Sequence, residues 1–413
     1  MTMSPNALLM TRRSRWISSL LTLALASPSL GCGSAGTTGA GGGSSTISTT
    51  GAGGGSSTIS TTGTGGTSGA GGAGGAVEAF FYQFVGMGQN AVRAGTSGDG
   101  VVVHGQGTAV VSWAQGPGTT SAYGDPVISR LPDGRFTMTS WTGPNDARGA
   151  FRLLYHESAC PQVSDAAVHV IAPASGPGCM PAPNLMMAKS SQVFAAEGGL
   201  YLFLMNGGRV YLAHLEDATH PASALASICL RQQKAPSLAA LAAGEATEVL
   251  GPAEAPNLLL SDTAIARRAD GTWVLFVKGI VPQMGCGGGN LCELCSRKIY
   301  RTTSVDLLAF SPLEAVVSQA SIPEASAGVD GKVRLYFQDF SDTCAESNLM
   351  KAPRAPISMV REDDDHTLGA PVRVSFPDEG FEADPMVHYA TNGNPVALPD
   401  AAALAAFEAC IAK

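Results

Sequence analysis

Apolar and polar positions fall into a pattern that resets at intervals along the later part of the chain. Asp125-Pro-Val-Ile-Ser-Arg-Leu-Pro-Asp133-Gly134 leads into the apolar-rich run Phe136–Trp141. Asp262-Thr-Ala-Ile-Ala-Arg-Arg-Ala-Asp270-Gly271 leads into Trp273–Val277, and Asp384-Pro-Met-Val-His-Tyr-Ala-Thr-Asn392-Gly393 into Pro395–Leu398. In these three copies the acid stands nine residues before the turn glycine. Glu324-Ala-Ser-Ala-Gly-Val-Asp330-Gly331 is a shorter copy before Val333–Phe337. Ser190 opens a fifth, which turns at Gly198-Gly199 before Leu200–Leu204. Each copy predicts a strand, a tight turn and a second strand. The turn dipeptides supply the positive φ that two-residue hairpins need, and the flanking runs are rich in β-branched and aromatic residues. Third strands are predicted over 151–156, 210–214, 298–302 and 356–361.

The copies start at 125, 190, 262, 324 and 384, so they lie 60–72 residues apart. Five units of three to four strands predict an all-β chain, a five-bladed β-propeller. The last copy has little chain after it. N-terminal strands such as Val101–His104 and Thr108–Trp113 are expected to complete its blade and close the ring. Asp400 is placed to cap a C-terminal helix over Ala401–Ile411.

The chain before this region has a different pattern. Arg12, Arg13 and Arg15 precede the apolar run Trp16–Ala26, which reads as an export signal and is too short to span a bilayer. Ser29-Leu30-Gly31-Cys32 looks like a bacterial lipobox, so Cys32 is the expected lipidation site and membrane anchor. Residues 33–76 are rich in Gly, Ser and Thr and carry the perfect repeat GAGGGSSTISTT. They predict a low-complexity flexible tether. The expected domains are therefore a lipoprotein-type signal peptide (1–32), the tether (33–76) and the propeller (77–413). The localisation implied is exported, either anchored at the cell surface or in the periplasm, or secreted.

Composition narrows the classes. An apolar fraction of 45% argues against a disordered chain, and a net charge of −8 argues against a nucleic-acid partner. Nine cysteines minus a lipidated Cys32 leaves eight, an even set for disulfides in an oxidising compartment. Cys160–Cys179, a link from the 286–295 loop to Cys344, and Cys410 to Cys229 are the expected bridges. Zinc at Cys286, Cys292 and Cys295 is the weaker alternative. The run Glu362–His366 reads as a solvated turn in preference to a calcium loop. No metal and no cofactor are expected, and the oligomeric state is left open.

If the residue opening each inner strand sits near one mouth of the channel, Asp125, Ser190, Asp262, Glu324 and Asp384 converge there. Paired carboxyls of unlike pKa are what glycosidic cleavage requires. By that chemistry Glu324 is the candidate general acid and Asp125 the base, with Asp262 and Asp384 tuning the acid. Ser190 and Trp141 are candidate substrate-binding residues. The Asp-Pro strand, the Leu-Pro-Asp-Gly-Arg turn and the strand Ile299-Tyr-Arg-Thr-Thr-Ser304 resemble the five-bladed glycoside hydrolases of families 43 and 32, over about residues 120–390. That resemblance implies an enzyme acting on a poly- or oligosaccharide, with an Asp base in blade one, which Asp125 matches. It also implies an Asp in blade two and a Glu acid in blade three, where this chain offers Ser190 and Asp262. The alternative is a non-catalytic surface lipoprotein that binds glycan or protein through the funnel.

Overall fold

The computed structural model describes residues 77–84, 91–112, 124–142, 152–161, 169–181, 192–282, 291–328, 330–346, 356–379 and 390–412. The chain divides into two units, 1–68 and 69–413, and every described residue belongs to the second. The expected signal peptide, the tether, Cys32, Ser190, Cys286 and Asp384 lie outside the described residues.

Among the described residues the fold is mostly β, with its sheets arranged like the blades of a propeller. The first sheet joins β1 (Val77–Phe84), β2 (Ala91–Ser97) and β3 (His104–Ser112) to the last strand, β21 (Ala390–Leu398), in the order β21-β1-β2-β3. The second has nine strands. It begins with β4 (Gly124–Arg130), β5 (Phe136–Thr142), β6 (Arg152–Ser158) and β7 (His169–Pro173). It ends with β8 (Phe194–Ala196), β9 (Gly199–Asn206), β10 (Arg209–Glu216) and β12 (Glu245–Leu250). Between these halves lies β11 (Ser227–Leu230), parallel to both β7 and β12. The third sheet is β13 (Leu259–Arg267), β14 (Trp273–Ile280), β15 (Lys298–Ser304) and β16 (Glu314–Ser318). The fourth is β17 (Ala320–Ala327), β18 (Val333–Asp339), β19 (Ile357–Arg361) and β20 (Val372–Arg373).

The expected five blades are thus four hydrogen-bonded sheets. The copies starting at 125 and 190 merge because β11, an element the repeat pattern does not contain, pairs with both of them. The middle strands explain the apolar runs. In β14 and β9 all but the last residue is buried, because each strand is covered on both faces. Phe276 of β14 is fully buried, and enclosure of such a side chain contributes about 1.5–3 kcal/mol.

The turns differ from expectation in length. At Asp133-Gly134, Asp270-Gly271 and Asp330-Gly331 the loop has three residues. In each, the amide of the residue before the loop donates to the carbonyl of the residue after it: Leu131 to Arg135, Arg268 to Thr272, Gly328 to Lys332. The Asp carboxylate then accepts from the amide two residues on, and the Gly takes a φ of +88°, +90° or +73°. That is the G1-bulge form of hairpin. In the second copy the tight two-residue turn falls on Glu197-Gly198, one residue earlier than expected. In the last copy there is no turn. β21 runs straight through Asn392-Gly393, which pair with Gln83 and Tyr82 of β1.

The ring closes through that pairing. The N-terminal strands do complete the sheet of the last copy, but β1 and β2 come first and β3 is its outer edge. The C-terminal helix, here α3 (Ala401–Ile411), begins as expected, with the Asp400 carboxylate accepting from the Ala403 amide. Two short helices are α1 (Leu291–Ser296), which begins within the segment read as the 286–295 loop, and α2 (Ser341–Glu346). Among the described residues no helix is long and apolar enough to cross a membrane.

The disulfides are Cys160–Cys410, Cys179–Cys229 and Cys295–Cys344. Cys292 is bonded to a partner outside the described residues. Only the link from the 286–295 loop to Cys344 matches expectation. Cys160 reaches the C-terminal helix, and Cys179 lies beside β11, which carries Cys229.

Candidate functional site

The inner strands carry a shared irregularity where the opening acid was expected. β4 has a bulge between Gly124 and Val127, β13 between Ser261 and Thr263, and β17 between Ser321 and Glu324. A bulge re-aims the side chain it carries. At the centre of the β13 bulge is Asp262, at φ +45°. Its carboxylate is buried and held by the Lys278 ammonium of the neighbouring strand. The matching residue of β17 is Ile322, at φ +49°. Positive φ on a β-branched residue is a strained conformation.

Glu324 therefore stands two residues beyond the position it was expected to fill. It pairs directly with Tyr336, as Ala264 of β13 pairs with Phe276. Directly paired residues share one face of a sheet, and the Tyr336 ring packs edge-on against Phe80 of β1 at 5.2 Å. Glu324 thus lies on the face turned toward the β21-β1-β2-β3 sheet, and it is 1% exposed. The same region holds the buried ion pair Arg334–Glu78, at 2.7 Å. Asp125 and Trp141 are placed only by backbone, in β4 and β5, and their side chains lie outside the described residues.

The axis of the described unit contains a cavity of about 270 Å³. Its wall comes from 128–132, 192–195, 265–267, 325–327 and 395–397, and also from Trp273. The first four come from the inner strand segments of four sequence copies, and 395–397 lie in β21, where the sequence pattern predicted the second strand of the last copy. Gln192 ties two of them together, its Nε2 donating to the carbonyls of Ile265 and Ala325 at 2.6 Å each. These lie at matching positions of β13 and β17. Among the described residues no Asp or Glu lines the cavity. Its lining residues 130–132, 265–267 and 325–327 lie at the hairpin-turn end of their strands, while the bulges are at the other end. Arg267 is five residues beyond Asp262, about 17 Å along an extended strand. One sugar ring cannot touch both.

Sequence reasoning missed the polar residues of this cavity, Ser129, Arg130, Gln192, Arg267 and Ser326. A signal was present. Arg130 and Arg267 both stand four residues before the turn glycine of their copies, Gly134 and Gly271. The hydroxyls of Ser129 and Ser326 are buried without a hydrogen-bond partner among the described residues.

Other conspicuous aromatic, histidine and acidic side chains have structural partners. Trp273 is buried between Phe194, at 5.1 Å, and the Arg267 guanidinium, at 5.1 Å. The His214 ring stacks on Tyr201, with its two nitrogens against the carbonyls of Leu241 and Glu216. The acidic run is not wholly solvated, since Glu362 is buried and holds Arg268 and Arg301. Among the described residues no group of three His, Cys, Asp or Glu is arranged to hold a metal.

No family model matches the chain, and no curated protein matches it. Several solved structures are similar to it. An α-L-arabinofuranosidase from Lactobacillus brevis is 13% identical, with a TM-score of 0.45 over 72% of this chain and 92% of that one. A variant of the GH43 protein BlXynB from Bacillus licheniformis is 14% identical, with a TM-score of 0.42 over 77% of this chain and 55% of that one. The α-L-arabinofuranosidase PaAbf62A from Podospora anserina, in complex with cellotriose, is 12% identical, with a TM-score of 0.39 over 67% and 74%. With every TM-score below 0.5, these likenesses carry no argument about the activity of this chain.

Proposed function

We propose that this chain is an exported carbohydrate-directed protein that holds its saccharide in the axial cavity. The observation that carries this reading is the make-up of the wall. Ile128, Val193, Phe194 and Ile265 supply apolar surface, while Ser129, Arg130, Arg267 and Ser326 supply hydroxyls and donors. A sugar presents the same mixture of apolar ring faces and polar edges. In this reading the nine-stranded sheet is two blades joined through β11, so that five blades surround the cavity. Cys32 carries the lipid, and residues 33–76 hold the body away from the membrane. The disulfides support an oxidising compartment.

Hydrolysis is the second reading. It places Glu324 as acid, Asp125 as base, Asp262 and Asp384 as tuning carboxylates, and Ser190 and Trp141 against the substrate, at the bulge end of the inner strands. Two buried carboxyl side chains on neighbouring inner strands, Asp262 and Glu324, favour it. The Lys278 ammonium on Asp262 and the enclosure of Glu324 against Tyr336 favour binding without turnover. The two readings separate in one assay of the purified protein with plant and microbial polysaccharides. Retarded migration in polysaccharide gels with no reducing sugar released supports binding. Release that is abolished in Glu324→Gln and Asp125→Asn supports hydrolysis. The absence of both retardation and release would contradict the carbohydrate reading.

A further inference from the structure

The arginines at the turn end of the cavity stand apart from most others in the molecule. Arg135, Arg268, Arg301 and Arg334 are each held by carboxylates. Arg130 and Arg267 line the cavity, and neither forms an ion pair among the described residues. Arg267 donates from Nε to its own turn carbonyl at Gly271 and lies over Trp273, which fixes the guanidinium at the rim. Glu197 and Asp306 share a second, smaller cavity with Arg267, yet neither reaches ion-pair distance. Below the rim, Ser129 is 6% exposed and its hydroxyl has no partner among the described residues. The Ser326 hydroxyl, next in sequence to the Ala325 carbonyl that Gln192 holds, is in the same condition.

We propose that this rim is a carboxylate-recognition site and that the ligand it takes is an acidic sugar, a hexuronate residue. The inference rests on the carbohydrate reading above and names the sugar class. Guanidinium forks match a carboxylate in shape as well as charge. Two arginines without an ion pair among the described residues, from equivalent positions of two sheets, supply that match, and among the described residues no acid lines the cavity to compete with it. The serine hydroxyls supply partners for ring hydroxyls. The apolar walls would serve no purpose for a bare inorganic anion, but they fit the faces of a sugar ring. The volume, about 270 Å³, falls below the roughly 300 Å³ at which pockets for drug-sized ligands begin. It therefore suits one sugar residue at a chain end.

The test is calorimetric titration of the purified protein with galacturonate, galactose and sodium sulfate. Galacturonate should bind more than tenfold tighter than galactose. Its affinity should fall as salt rises, since salt screens partly exposed charges. Arg130→Gln and Arg267→Gln should each weaken it at least fivefold while thermal melting stays unchanged. Ser129→Ala should weaken both sugars and leave their ratio intact, which checks the cavity without touching the arginines. Equal affinity for the two sugars, galacturonate binding indifferent to both arginine variants, or sulfate competing as well as galacturonate would each overturn the proposal. If neutral polysaccharide binds wild type and Arg130→Gln alike while galacturonate does not bind, the acidic-sugar inference fails and the carbohydrate reading stands. If no polysaccharide binds at all, both fail.

Discussion

At the scale of single residues the fold sets charges where they have few alternatives. Asp262 sits on a bulge at positive φ, and its carboxylate is buried against Lys278. Removing one member of a buried pair strands the other charge and costs about 3–5 kcal/mol, whereas removing both costs much less. Lys278→Met should therefore lower stability to urea strongly, and Asp262→Asn in the same chain should restore much of it. Glu216 gives a second residue-scale prediction. Burial pulls its carboxyl upward, but Arg135 at 2.8 Å and the Ala222 amide at 3.1 Å outweigh burial and hold it below the ordinary 4.5. A carboxyl whose folded value is depressed stabilises the fold above its unfolded value. That stabilisation is lost as pH falls through the folded value. Wild-type urea midpoints should thus drop as pH falls from 4.5 downward, and Glu216→Gln should flatten that drop.

At the scale of elements, the hairpins show what local sequence can specify. Asp133-Gly134, Asp270-Gly271 and Asp330-Gly331 turn the chain in one shared way, because an Asp that accepts a nearby amide and a Gly at positive φ decide the geometry locally. Gly271 sits at φ +90°, where a Cβ costs about 1–2 kcal/mol. Gly271→Ala should accordingly lower the melting temperature even though its turn is exposed. Asn392-Gly393 has the same local signal and makes no turn, since pairing with β1, more than 300 residues earlier, decides its conformation. Glu324 misled for another reason. It stands seven residues before Gly331, whereas counting back the nine residues that separate Asp262 from Gly271 gives Ile322, the residue on the β17 bulge. The strands were legible as apolar runs. The bulges and β11 were not, because both are products of pairing between distant segments.

At the scale of the whole molecule, closure depends on contacts between the chain's two ends. β1 pairs with β21, Glu78 holds Arg334 across 256 residues, and Cys160 is bonded to Cys410 across 250. The sequence pointed to N-terminal strands completing the last sheet, but it could not supply disulfide partners. Those follow from the placement of α3 and β11, which no local pattern encodes. Loss of a native bridge typically costs about 2–5 kcal/mol. The double variant Cys160→Ser/Cys410→Ser should melt earlier while keeping its β-sheet circular dichroism, and reducing agent should narrow the gap to wild type. The repeat also marked four of the five segments that line the cavity, which is why most of its wall was within reach of sequence reasoning although its arginines were overlooked.

The central claim is that this cavity holds a saccharide. The most direct test is affinity electrophoresis of the purified protein through gels containing a panel of neutral and acidic polysaccharides, with Ser129→Ala beside wild type. The account predicts that at least one polysaccharide retards the wild type and retards Ser129→Ala less. Free migration through every polysaccharide, or retardation that Ser129→Ala leaves unchanged, would contradict it.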